Sequence, residues 1–403
     1  MKKSLLILLC IMPLATACIY DFKANLEEAS TFVVVEGDIQ VGGITILSLS
    51  RNNSPVLFKA TVESENGQAV ESQETKGTCT LDTRHLDPAL RYRVRIHDTE
   101  NDAHYTSAWE TVQPAPVIDS LSYRIHDEIM DLRATFHSGT GTPYYCLAYQ
   151  EQWEYRSYAT TYLQYIEPLK STPAGGTELF PAPESGLGYE FGRIFRMKEL
   201  NPYHTCWDYP GMGRTEVVST GAMVSNKMVD YTFKTIEAED TRISVKYRVM
   251  VTVRMISGDS YSYWESMDQV SSQTGDLFSP VPSLRRGNVV NDEQPEALVL
   301  GYICASEVAS EELWINDDDI RFYRQPSSVK EMLNKDAIGH KEPFGVAMED
   351  MLRQYQRGYR PWLMVTPSSG GTIPDTYYVW IKERCLDCRK QGGSTQKPEG
   401  WPE

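Results

Sequence analysis

Cysteine carries the most distinctive chemistry in this chain, and Cys18 sits where a thiol is modified. Lys2 and Lys3 form a basic start, Leu5 to Met12 is a short apolar run, and Ala15-Thr16-Ala17 places small side chains just ahead of the cysteine. This pattern reads as a lipobox: a leader over residues 1–17 is cut away, and Cys18 becomes a diacylated N-terminus. The apolar run is far shorter than the roughly 20 residues a membrane-spanning helix needs. Two acyl chains suffice for stable anchoring, since each buried CH2 contributes about 0.8 kcal/mol. The alternative is an ordinary secretory leader with an incidental cysteine. Cys10 leaves with the leader, so Cys79, Cys146, Cys206, Cys304, Cys385 and Cys388 enter a compartment where disulfides persist. Their connectivity is open from sequence. Cys385 and Cys388 form a C-x-x-C, but a zinc ribbon needs a second such pair, which the chain lacks. One or two structural disulfides, with buried free thiols such as Cys146 and Cys304, is the expected use.

Other reactive groupings are sparse. The sequence holds no G-x-S-x-G elbow, no H-E-x-x-H, no Walker loop and no G-x-G-x-x-G after a strand. No two of the seven histidines stand at helical ligand spacing. His97 and His137 fall on the solvent side of alternating strands, where a surface role is preferred to metal ligation. Asn316-Asp317-Asp318-Asp319 offers oxygen ligands, but the spacing of a calcium loop is missing, so a solvated acidic loop is expected. The reading is a non-enzyme with no cofactor and no metal. Tyrosine is abundant, and Tyr144 to Tyr165 is crowded with aromatics. Tyr145, Leu147, Tyr149, Trp153 and Tyr155 share one face at period two, as a sandwich core requires. Tyr158, Tyr162 and Tyr165 are left as candidates to contact a glycan or peptide ligand, with the Pro/Gly-rich stretch 168–192 beside them.

The elements that position these groups are mostly strands. Residues 18–31 read as a flexible tether. From 32 to 113 the period is two: Phe32–Val41, a Gly42-Gly43 turn and Ile44–Ser50 make a hairpin, and Tyr92, Val94 and Ile96 alternate with Arg91, Arg93, Arg95 and His97. This predicts an immunoglobulin-like β-sandwich. Pro114-Ala115-Pro116 reads as a stiff linker. A second, larger β-sandwich is expected over 117–304, with an insertion around 158–200 and its clearest strand at Ile243–Val253. Helices are predicted after Ser257-Gly258-Asp259 with Gly275 as stop, at Ser328 with Glu331 as a capping box, and over Pro343–Arg357 with Gly358 as stop. Residues 305–403 form a mixed α/β segment packed on the second domain. The fold class is mainly β. A formal net charge of −16 disfavours nucleic acid as a partner.

Several runs resemble one family. They are Cys206-Trp207, Tyr261 to Trp264 leading into Thr274-Gly275-Asp276-Leu277-Phe278, Pro280-Val281-Pro282-Ser283, Gly287-Asn288 and Leu300-Gly301-Tyr302. The ending Cys385-Leu386-Asp387-Cys388-Arg389 with Gly392-Gly393, Lys397-Pro398 and Trp401 matches closely, as do Val35-Glu36-Gly37 and Ile118-Asp119-Ser120-Leu121. Together they resemble a Bacteroidota outer-membrane lipoprotein family catalogued as domain of unknown function 4249. The tail departs in lacking an adjacent extra cysteine, and Cys304 stands where a plainer residue is expected. The resemblance implies a surface lipoprotein working beside a TonB-dependent outer-membrane transporter, as a binding or accessory subunit with no catalytic residues carried over. It also makes Cys206 the preferred partner for Cys385 or Cys388. Membrane lipid through Cys18 and the transporter are the expected partners. The runner-up is a structural surface protein such as a fimbrial subunit or adhesin, and the alternative location is the periplasmic face.

Overall fold

The computed structural model describes residues 32–165, 194–211, 215–223, 225–273, 286–339, 348–365 and 377–402. The chain is mainly β. In the first sandwich, Val33–Gln40 pairs antiparallel with Ile44–Arg51, which pairs with Thr78–Asp82. The facing sheet runs through Leu57–Ser64, Arg91–Asp98 and Ala103–Ser107. Alternation decides what meets between the sheets. Val35, Leu47, Phe58, Val62, Tyr92, Val94 and Ile96 are all buried there, each contributing roughly 1.5–3 kcal/mol. The Tyr92 hydroxyl donates to the Asp87 carbonyl at 2.9 Å, a tyrosine corner of the kind that immunoglobulin-like sandwiches use.

The second sandwich packs a three-stranded sheet, Val117–His126, Ile129–His137 and Lys227–Glu237, against a larger one. The larger sheet centres on Tyr144–Arg156, flanked by Thr205–Asp208 and Lys246–Met255, with Val308–Asn316 at its edge. Tyr145, Leu147 and Tyr149 enter this core, as their shared face required. The strand expected at Ile243–Val253 begins later, at Lys246. The Asp240 carboxylate accepts the Arg242 N–H at 3.0 Å and turns Thr241–Ile243 into a 3-10 helix first.

The expected boundary at residue 304 does not describe the chain path. After the second sandwich is largely built, the chain returns to the first. Val289–Asn291 adds to Ala103–Ser107, while Val299–Leu300 and Ala305–Ser306 pair parallel with Val33–Gln40. The chain then runs straight into Val308–Asn316 of the second sandwich, so one segment is stitched into both. Gly301 makes this possible: at φ +108° it brings its backbone so near Val35 that a Cβ would lie 1.8 Å from the Val35 carbonyl oxygen. At the same junction Asp38 accepts the Cys304 N–H at 3.0 Å and forms an ion pair with Arg254 of the second sandwich. The side chains of Asp38 and Arg254 are only 10% and 23% exposed, so the pair is largely desolvated. Cys146 and Cys304 are buried free thiols beside it.

Helix Gly258–Gln273 closes over this junction, its Tyr263 hydroxyl accepting the Gly301 N–H at 2.7 Å. The predicted stop at Gly275 lies outside the described residues. Helix Ser327–Asp336 starts one residue before the expected cap, so Ser328 sits inside its first turn and Pro326 precedes it without a side-chain cap. Of the helix expected over Pro343–Arg357, Met348–Gln356 is described as helical, and Gly358 follows at φ +82°. The acidic run forms the short helix Asp317–Ile320. Asn316 caps it, and Asp317 accepts the N–H groups of Phe322 at 2.9 Å and Tyr323 at 2.7 Å. Its carboxylates thus serve the local turn in part, where a wholly solvated loop was expected. A small sheet of Ile338–Gly339, Tyr377–Lys382 and Tyr359–Val365 completes the C-terminal segment.

Candidate binding surface

Cys18 lies outside the described residues, as does the stretch 168–192. The three tyrosines expected to form one ligand surface do not. Tyr165 is 5% exposed and packs its ring 5.0 Å from Tyr355 and 5.6 Å from Trp380. Its strand Leu163–Tyr165 pairs with Ile194–Arg196, and this hairpin lies against the C-terminal sheet, which turns Tyr165 inward. Tyr162 is exposed, whereas Tyr158 is half-buried with its carbonyl accepting from Gln325 at 3.2 Å. The insertion is therefore tied into the tail: Thr161 donates to the Pro361 carbonyl at 3.0 Å, and the Ala159 N–H to Cys385 at 2.8 Å.

Of the three candidate disulfide cysteines, Cys206 and Cys388 are bonded, with Cα atoms 5.8 Å apart. Cys385 is a free, fully buried thiol among Ala159, Ile381 and Leu386. Burial, reinforced by the nearby Asp336 carboxylate, pushes it up to about 11. Around the disulfide, Trp207 and Ser394 exchange backbone hydrogen bonds of 2.7 and 2.9 Å. The Trp401 indole donates to Glu154 at 3.1 Å and lies edge-on to Trp314. A recess of about 460 Å³ opens beside this strap, lined among others by Glu154, Thr205, Trp207, Lys246, Asp318 and Lys397.

A second recess, of about 330 Å³, lies on the outer face of the first sandwich. Its walls include Lys59, Thr61, Glu63, Arg95, His97, His104 and Asp292. The strands Arg91–Asp98 and Ala103–Ser107 form a hairpin whose register sets His97 directly opposite His104. Their rings stack with centroids 4.4 Å apart. Asp102, in the left-handed region at φ +50°, closes the turn and holds its carboxylate 3.0 Å from His97 Nε2. His104 is clasped on its other side. Its Nδ1 is 2.7 Å from Glu293, and its backbone N–H donates to the same carboxylate at 3.0 Å. These two contacts, the backbone one first, hold Glu293 below the usual carboxylate range. Glu293 is itself fixed, since its N–H and that of Gln294 donate to Asn291 at 3.0 and 2.7 Å. The hairpin tip is equally set: Asp98 accepts the N–H groups of Glu100 and Asn101 and pairs with Arg51 at 2.6 Å. Two imidazoles and a carboxylate are donors to divalent transition metals.

Sequence reading placed His97 on the solvent side, where it is, but did not join it to His104. The available signal was the turn between them: reading Thr99-Glu100-Asn101-Asp102 as a four-residue hairpin loop pairs Asp98 with Ala103 and sets residues 97 and 104 face to face. The other histidine expected on a solvent face, His137, bonds Asp119 at 2.9 Å on the second sandwich.

A comparison with curated proteins found no match. Among solved structures, a two fibronectin type-III domain segment from chicken tenascin is 14% identical, with 54% of this chain and 88% of that chain covered and a TM-score of 0.14. The sandwich assignment rests on the strand pairing described above. The model of the family described as Domain of unknown function (DUF4249) matches residues 19–312, most of the chain, and on that match the protein belongs to this family.

Proposed function

We propose that this protein is an outer-membrane, surface-exposed lipoprotein that serves as a non-catalytic binding or accessory subunit of a TonB-dependent nutrient-uptake system. The observation that carries the reading is the lipobox ending at Cys18, with the family match beginning at the next residue. Support also comes from how the body is built. A segment shared by both sandwiches, a desolvated Asp38–Arg254 pair and the Cys206–Cys388 bond make a preformed surface. Such a scaffold lowers the ordering cost of binding.

The runner-up, a polymerising surface subunit, needs an exchangeable edge strand. The exposed edge Val117–His126 carries a bulge at Asp119, whose carboxylate bonds His137 and Lys227. Bulges and charges on an edge discourage added strands, so this feature favours the accessory role. The test is extraction of membranes in mild detergent followed by pull-down on this chain. An outer-membrane transporter is expected in stoichiometric yield, and the Cys18→Ala variant is expected in the soluble fraction. Recovery of the lipoprotein alone, under conditions that preserve other such complexes, would refute the accessory role. A membrane-bound Cys18→Ala variant would refute the anchor.

A further inference from the structure

We propose that the hairpin end formed by His97, Asp102 and His104 is a binding site for a divalent transition-metal ion of the zinc and copper class. Among the described residues, these three bring one ligand atom each to within 4.8 Å of one another. A tetrahedral zinc site with bonds of 2.0–2.1 Å holds its donors about 3.3 Å apart. One edge of the triangle is already closed, because His97 Nε2 and the Asp102 carboxylate are 3.0 Å apart. The remaining adjustment falls on the Asp102 side chain, which is 90% exposed, and on a tilt of the 43% exposed His104 ring about its Glu293 contact.

The surroundings argue for more than chance proximity. Glu293 holds His104 Nδ1, so the proton belongs on that nitrogen and the Nε2 lone pair is left for a metal. A carboxylate behind a ligating histidine fixes its tautomer and raises its basicity. The backbone beneath is rigid: cross-strand register presents both rings, and Asp98 locks the turn that carries Asp102. Two imidazole nitrogens select borderline metals over calcium or magnesium, which prefer oxygen ligands. Three protein ligands leave a fourth position for water or for a ligand carried by the metal, and both histidines also line the recess with Lys59 and Asp292. This inference is independent of the uptake role.

The test is calorimetric titration of the purified, metal-stripped full chain with zinc chloride, paired with electron paramagnetic resonance of the copper(II) form. One zinc per chain and a copper signal from two imidazole nitrogens are expected. Glu293→Gln should weaken zinc binding about 10–100-fold, the usual effect of losing such a carboxylate. His97→Ala and His104→Ala should weaken it further, and His104→Ala should reduce the copper signal to one nitrogen. All three side chains are partly exposed, so these variants are expected to keep the parent melting temperature. His137→Ala on the other sandwich serves as control and should bind as the parent does. Absence of a stoichiometric site, or equal affinity in the His97→Ala and His104→Ala variants, would overturn the proposal.

Discussion

Removing the Cys206–Cys388 bond tests how far the tail supports the body. The bond closes a loop with a sequence separation of 182 residues. In the chain-entropy account, a loop of that size lowers the entropy of the unfolded chain by an amount worth about 5 kcal/mol at 25 °C. The native side changes little on Cys206→Ala/Cys388→Ala, since the Trp207–Ser394 pairing and the Trp401–Glu154 bond persist. The perturbation should therefore appear almost wholly as lost stability. Taking a urea slope of about 2.5 kcal/mol/M for a domain of this size, the midpoint should fall by about 2 M. Tryptophan fluorescence reads the transition, because Trp153, Trp207, Trp314 and Trp401 all lie in or beside the strap. The same experiment on Cys385→Ala should cost roughly 1 kcal/mol and leave the cross-link intact on non-reducing gels. A double variant whose midpoint falls by less than about 0.4 M would refute the reasoning, for the strap would then be held by its hydrogen bonds alone.

Gly301→Ala should lower stability by about 3 kcal/mol in thermal melts, since its Cβ would strike the Val35 carbonyl oxygen. Gly42→Ala, at φ +80° with nothing near its Cβ, should lose only about 1–2 kcal/mol. Asp38→Leu leaves the Arg254 charge buried and unpaired, and should cost about 3–5 kcal/mol; adding Arg254→Met should recover much of that in denaturant titrations. Acid should loosen the tail. Burial opposes ionisation of Asp336 and Asp387, yet Arg384 and Arg389 hold both carboxyls below their ordinary values. Groups depressed in the fold stabilise it above the unfolded carboxylate value, and that contribution is lost as pH falls from about 4 through the folded values. Proteolysis of the tail between pH 5 and pH 2 should accelerate in that window, and tail cleavage independent of pH would contradict the assignment.

Much of the fold was legible because its strands keep a strict period. In Lys246–Met255 every second residue is buried, and in Arg91–Asp98 Tyr92, Val94 and Ile96 face the core as alternation required. A buried face imposes that spacing locally, so it is written in adjacent residues. The return of the chain to the first sandwich is a different matter. Val299–Leu300 and Ala305–Ser306 are two-residue strands, too short for any period, and their partner is the first strand of the chain. Tyr165 was misplaced for a related reason. Whether a short strand shows its aromatic to water depends on what packs over it, here Trp380 and Tyr355 from far along the sequence.

The candidate sites divide along the same line. Each histidine of the hairpin could be assigned to a face, yet the pair exists only through the register set by the turn at Asp102. A site built across strands leaves no spacing motif of its own. The tail shows how little separates two readings of one motif. Cys385 and Cys388 are three residues apart and equivalent in sequence, but each belongs to a different 3-10 turn. The first turn packs Cys385 against Ile381 and Leu386, while the second brings Cys388 to Cys206 beneath Tyr155. Leu386 ends the first turn, and Asp387 starts the second by accepting the Arg389 N–H at 3.0 Å. The local cap is the feature of the backbone that sets Cys388 apart from Cys385. Asp387→Ala should therefore slow oxidative formation of the Cys206–Cys388 bond on refolding and raise the share of Cys206–Cys385 species seen by peptide mapping. An unchanged distribution of species would show that the choice is made elsewhere, by the strap's packing on Trp207 and Trp314.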